Sequence, residues 1–155
     1  MTVNSAASYI LKKLNSQPMF VIIELESRQV IHVNVTRYPS DAWVAQQLRE
    51  ATPFGEHPRY LIRGNDRKYG DHFANVAAAI EVVRIPVRAP RANAFCERFM
   101  GSLRRECLDH VLILSEKQLR RLVNEYVRYF NEDRPHQGID QRIPIAPLNP
   151  PRRMA

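Results

Sequence analysis

RAPRANAFCERFMGSLRREC, running from Arg88 to Cys107, changes character part-way along. Pro86 and Pro90 make its approach extended, because a residue that precedes proline is pushed out of the helical region. After Arg91 the pattern turns helical. Phe95, Phe99, Leu103 and Cys107 recur every fourth residue with Cys96 and Met100 beside them, which predicts an amphipathic helix with one apolar stripe. Asn93, Glu97, Gly101 and Arg104 fall on another face, next to Arg98 and Arg105. On periodicity alone this is a solvated face with intrahelical ion pairs, the usual meaning of a charge run.

The rest of the chain gives that helix a setting. With 155 residues, 45% hydrophobic and 25% charged, the composition is that of one globular domain with a core of its own. No apolar run approaches the ~20 residues that span a bilayer, and the N-terminus reads without the basic and apolar blocks of a secretory signal. Cys96 and Cys107 lie eleven residues apart on the same predicted helix and cannot bridge one another there, so a reduced compartment is expected. The net charge of +7 is unevenly placed. Up to Val83 there are nine Lys/Arg against eight Asp/Glu, and from Arg84 onward fourteen against eight. A basic C-terminal half favours a polyanionic partner such as nucleic acid.

Local patterns predict most elements. Met1 to Pro18 is poorly patterned, and Tyr9 to Leu14 reads as a short helix or a strand remnant. The apolar run Met19 to Leu25 predicts a buried strand ending near Glu24, and the alternation of Val30 to Val35 its half-buried neighbour, across a polar turn at Ser27 to Gln29. Ser40 and Asp41 start a helix whose buried face is Val44, Ala45, Leu48 and Ala51. Tyr60 to Arg63 reads as a strand, Phe73 to Ile80 as a helix and Val82 to Val87 as the last strand. Ser115 and Gln118 form a capping box ahead of a stripe from Leu119 to Phe130. Trp43 and the tyrosines are read as core, and His136 as a packing and hydrogen-bonding residue. Pro144, Pro147, Pro150 and Pro151 mark an irregular tail.

Two stretches carry a resemblance. PRANAFCERFMGSLRREC resembles the last catalytic segment of the DDE integrase and transposase cores, a branch of the RNase H-like fold. YFNEDRPHQGI, Tyr129 to Ile139, is similar to the signature that closes many insertion-sequence transposase cores. The resemblance implies an α/β fold, a mixed sheet flanked by helices. Its expected organisation is a degenerate N-terminal segment over 1–18, a catalytic-core-like domain over 19–142 and a Pro/Arg-rich tail over 143–155. The first strand is expected to be missing or altered.

The family's chemistry, as the resemblance implies it, uses three carboxylates to hold two Mg²⁺ or Mn²⁺ ions that cut and join DNA. Such ions want hard oxygen ligands, so Asp and Glu are required. The third position is Glu97. The second falls on Gly64, where the family has aspartate. Asp66 is a weak surrogate, because two residues along an extended segment displace it by ~7 Å, against the ~0.5 Å tolerance of a catalytic constellation. Only 32 residues separate Gly64 from Glu97, fewer than is usual in the family, and the shortfall falls near Ala79 to Val82. The first position should precede Phe20, yet no aspartate occurs from Met1 to Ser40, and a simple offset lands on Ser5. Lys68, Arg88, Arg91, Asn93, Arg98, Arg104 and Arg105 are the implied DNA-contacting residues.

The expectation is therefore a truncated, decayed or domesticated core of DNA integration and transposition, catalytically inactive, with no metal productively bound. Its implied partners are DNA, held through phosphates without sequence preference, and a second copy or a full-length transposase, with no membrane. A cytoplasmic setting follows, nucleoid-associated when DNA is bound. Two alternatives stand beside it: an active strand transferase using surrogate carboxylates, and a protein-interaction module that inhibits a full-length transposase.

Overall fold

The computed structural model describes residues 6–14, 17–63, 69–84 and 94–145. The expectations at Ser5, Gly64, Asp66, Lys68, Arg88, Arg91 and Asn93, and the tail after Ile145, lie outside them. Five strands run β1 (Ala6–Leu14), β2 (Gln17–Glu24), β3 (Val30–Val35), β4 (Tyr60–Arg63) and β5 (Glu81–Arg84). Four helices follow the same chain: α1 (Asp41–Ala51) between β3 and β4, α2 (Asp71–Val76) between β4 and β5, then α3 (Ala94–Glu106) and α4 (Glu116–Glu132). The sheet order is β3-β2-β1-β4-β5. The first three strands form an antiparallel meander, and β1, β4 and β5 are parallel. This is the mixed sheet flanked by helices that the resemblance implies.

The expectation of a missing or altered first strand is corrected. β1 is nine residues long and occupies the centre of the sheet, with β2 on one side and β4 on the other. Its local pattern is weak because a central strand is held by two neighbours, and ladder pairing does not depend on side-chain alternation.

Strand β2 explains why two layers of helix are needed. Met19, Val21 and Ile23 pack with Phe99, Leu103, Val123 and Phe130 of α3 and α4. Phe20 and Ile22 pack with Val44 and Leu48 of α1 and Phe73 of α2. Successive strand side chains point to opposite faces, so a continuous apolar run must be covered twice.

The helix starts follow capping chemistry. Ser40 Oγ accepts from the Trp43 amide at 3.1 Å, as its N-cap position predicts. Ser115 Oγ likewise accepts from the Gln118 amide. The reciprocal arm of the expected capping box is absent: Gln118 Oε1 accepts from the Leu114 amide and Nε2 donates to the Leu112 carbonyl. The helix expected over Phe73 to Ile80 begins and ends earlier, at Asp71 and Val76. It stops because the chain must turn at Ala77–Ile80 for Glu81 to donate to the Arg59 carbonyl and open β5. The expected core tyrosines divide: Tyr126 is buried, whereas Tyr38 is 83% exposed. Trp43 packs edge-on against Phe20.

Edge strand β3 is covered by α4. Asn131 on α4 accepts from the Val30 amide and donates to the Val30 carbonyl, both at 2.9 Å, so one side-chain amide continues the ladder as a peptide would. At the other end Arg120 donates to the Val35 carbonyl. Eleven helical residues rise ~16.5 Å and five strand steps rise ~17 Å, so helix and strand match in length between these two clamps. Replacing Asn131 by Ala leaves both Val30 groups without their partner. Asn131→Ala should cost about 2–4 kcal/mol, seen in urea titration as a lower midpoint with an unchanged m-value.

Candidate functional site

The helix that opened the sequence reading places Glu97 in its first turn. Cys96, Phe99, Met100 and Leu103 of α3 are buried, and Glu97, Arg98, Arg104 and Arg105 are exposed. The buried stripe therefore sets the orientation of the polar face, as the spacing predicts. Phe95 departs from the predicted stripe: it is half-buried, with the Arg28 guanidinium 3.6 Å above its ring centroid. Arg98 lines a cavity with Arg28, and Glu97 is not in its wall.

β1 and β4 pair in parallel. The parallel register sets Ala6 beside Tyr60 and Tyr9 beside Arg63, the residue before position 64. None of the nine residues of β1, AASYILKKL, is an acid. Glu24, the early acid in the apolar strand, ends β2 and accepts a hydrogen bond from Ser27.

Beyond the ends of β4 and β5 lies a cleft of about 370 Å³ lined by Arg63, Tyr69, Asp71 and Arg84, among others. The Arg63 guanidinium lies 4.8 Å over the Tyr69 ring. Two guanidiniums against one carboxylate make this a cationic wall rather than a cation cradle. The approach to it is held by Asp41, which the sequence placed only in the first turn of α1. Its carboxylate also accepts from the amides of Gly70, His72 and Phe73 at 2.8–3.0 Å, capping α2 from another helix. Desolvation raises the Asp41 pKa, and these donors together with His72 outweigh it, so the carboxyl sits below its ordinary value. A side chain at Gly70 would put its Cβ 2.8 Å from Asp41 Oδ2, so the close approach requires glycine. No local spacing signals a cap that acts across thirty residues.

The closing signature is a buttress. Arg134 donates to both oxygens of Glu106, at 2.7 and 3.0 Å, and the Tyr126 hydroxyl donates to Glu106 Oε2 at 2.7 Å. His136 Nε2 lies 3.0 Å from the Phe130 carbonyl, which can only accept, so that nitrogen carries the proton. The His136 ring stands edge-on to Phe130, with centroids 4.2 Å apart. Packing and hydrogen bonding are thus the visible work of His136.

An integrase core domain model matches residues 78–144. An uncharacterized 39.2 kDa protein of insertion element IS476 from Xanthomonas euvesicatoria is 30% identical over 132 residues, covering 81% of this chain and 37% of that protein. An uncharacterized 31.7 kDa protein of insertion element IS407 from Burkholderia multivorans is 23% identical over 79% of this chain and 46% of that protein. The chain belongs to the DDE-type integrase and transposase cores. It spans less than half the length of these two relatives. Among solved structures, the catalytic core domain of BIV integrase superposes with a TM-score of 0.67 at 16% identity, over 90% of each chain. The HTLV-2 integrase core in complex with magnesium, in a trimeric form, superposes at 0.70 with 12% identity, over 91% of this chain and 93% of that one. The simian T-cell lymphotropic virus intasome, bound to PP2A regulatory subunit B56 gamma, gives 0.74 at 14% identity, over 98% of this chain and 58% of that one. At these identities the structures share the fold.

Integrase cores typically depend on divalent metal. β1 offers no acid, and among the described residues no group of three or more His, Cys, Asp or Glu could hold a metal. Nor is any helix of the described residues long and apolar enough to cross a membrane.

The buttress has a pH signature. The Arg134 hydrogen bonds, helped by Tyr126 and by the charges of Arg134 and Arg105, overcome desolvation and hold Glu106 below its ordinary value of 4.5. A depressed carboxyl contributes stability above the unfolded pKa and loses it as pH falls through the folded one. Glu106 is about a third exposed, so screening reduces the effect. Glu106→Gln should cost about 1 kcal/mol at neutral pH. The gap to the unmodified protein should close on acidification in thermal melts.

Proposed function

We propose that this chain is an integrase core that binds DNA through phosphates and does not cut or join strands. The observation that carries this reading is the central strand AASYILKKL, which contains no acid and pairs in parallel with β4, whose last residue Arg63 is followed in sequence by Gly64 rather than an aspartate. Glu97 alone cannot hold two divalent ions at the spacing that in-line displacement needs. Among the described residues Asp71 is the acid at the β4 cleft, and it shares that wall with Arg63 and Arg84.

The basic half supports DNA as the partner. Arg98, Arg104 and Arg105 stand exposed on α3, and Arg88 and Arg91 precede it in sequence. A second observation favours association with another chain. After α3 the run Val111–Leu114 leaves Leu112 76% and Leu114 78% exposed. A second copy or a full-length transposase that covers these side chains removes their apolar surface from water.

The purified protein should show no nicking or strand transfer with magnesium or manganese in a gel assay of labelled duplex. Turnover abolished by Glu97→Gln would overturn this reading and favour surrogate ligands. Fluorescence anisotropy should show sequence-independent DNA binding that is not improved by magnesium. With about five arginines on phosphates, log K should fall against log salt with a slope near −4.5. A slope near zero, with association persisting in sedimentation, would put the protein-interaction reading ahead.

A further inference from the structure

A cavity of about 430 Å³ opens where the β2–β3 turn, the start of α3 and the segment after α4 meet. That volume lies within the ~300–1,000 Å³ usual for small-ligand pockets. Its wall holds the guanidiniums of Arg28, Arg98 and Arg134, and none of its lining residues is an acid. Arg134 is balanced from outside the cavity by Glu106. Among the described residues, Arg28 and Arg98 have no carboxylate partner. Like charges gathered without counter-charge raise the energy of the empty pocket, and an anion lowers it. Burial first, and then the charge of Arg98, hold Arg28 below its ordinary pKa.

The backbone around the cavity carries strain. Arg28, with φ 66°, and Gln141, with φ 61°, are both left-handed non-glycine residues, and both line this cavity. Such residues persist where surrounding contacts over-determine them, and they concentrate at ligand clamps. Arg28 is also fixed by its stack on Phe95, which aims the guanidinium. His136 lies in the same wall, and its donated Nε2 proton leaves Nδ1 as the other ring nitrogen.

We propose that this cavity is a phosphate site, in which Arg28 and Arg98 grip the oxygens of a phosphomonoester or phosphodiester and Arg134 adds a third positive charge. The site is separate from the position of Glu97, and it does not depend on the DNA-binding reading. Its ligand could be a strand phosphate or a free phosphate, which share this chemistry.

The test uses the full chain at constant ionic strength. Inorganic phosphate and a 5′-phosphorylated thymidine dinucleotide are titrated while the His136 ring resonances are followed by NMR. Saturable binding should shift the ring signals and raise their titration midpoint, because a bound anion favours the imidazolium. Arg28→Gly should keep its melting temperature, since glycine accepts the left-handed φ. Exposed Arg98→Gln should also fold. Each should weaken both probes by about tenfold or more, the loss of one charge-assisted hydrogen bond. Anisotropy on duplex DNA then assigns the source. If a strand phosphate occupies the site, Arg28→Gly reduces the salt slope by about 0.9. If free phosphate does, DNA binding is unchanged while probe binding falls. Absence of saturable binding by either probe, or binding that both variants leave intact, would overturn the proposal.

Discussion

Burial of β2 on both faces is the constraint on which the other elements depend. Met19, Val21 and Ile23 require a layer on one side, and Phe20 and Ile22 require one on the other. Each buried side chain of this size is worth ~1.5–3 kcal/mol, so neither face can stay open in water. The helix pair α3 and α4 covers one face, and α1 with α2 covers the other. The meander then places β1 between β2 and β4, at the centre of the sheet.

The signature that ends the core serves this packing. Asn131 extends the β3 ladder, Arg134 ties α4 to the end of α3 through Glu106, and His136 closes on the last turn of α4. Tyr129, which opens the signature, is partly exposed and stacks on Tyr126. These residues add polar pairing to the apolar contacts between the elements, and that pairing specifies one register. A buried amide matched on both sides tolerates no slip of helix along strand, because a slip strands the Val30 groups.

Packing and chemistry occupy different positions in this architecture, so one can persist without the other. The apolar stripe of α3 and the register of β1 are intact, while β1 carries no acid and position 64 is glycine. A carboxylate on a central strand is a cost to folding, since a buried charge must be matched or solvated. Its replacement by an apolar or small residue leaves the fold undisturbed. The same separation lets a cationic cavity exist on the α3–α4 side, with Glu97 outside its lining.

Most elements were legible in the residues alone. The run Met19 to Leu25, the alternation Val30 to Val35, the Ser40 cap and the stripes of α3 and α4 express local rules of period and capping, and the structure follows them. The resemblance of two short stretches was enough to name the fold. β1 was not legible, because Lys12 and Lys13 and the lack of alternation hide a strand held by backbone pairing to two neighbours. Asp41 capping a second helix, Asn131 clamping an edge strand 101 residues away and Arg28 meeting Arg98 across a turn were not legible either. The sequence by itself determined where most helices and strands form and which face of each is apolar, since both follow from neighbours a few residues apart. Only the tertiary structure decided which β1 residues stand beside which residues of β4 and which arginines share a cavity. Those depend on strand register and helix docking, which join residues that no local spacing relates.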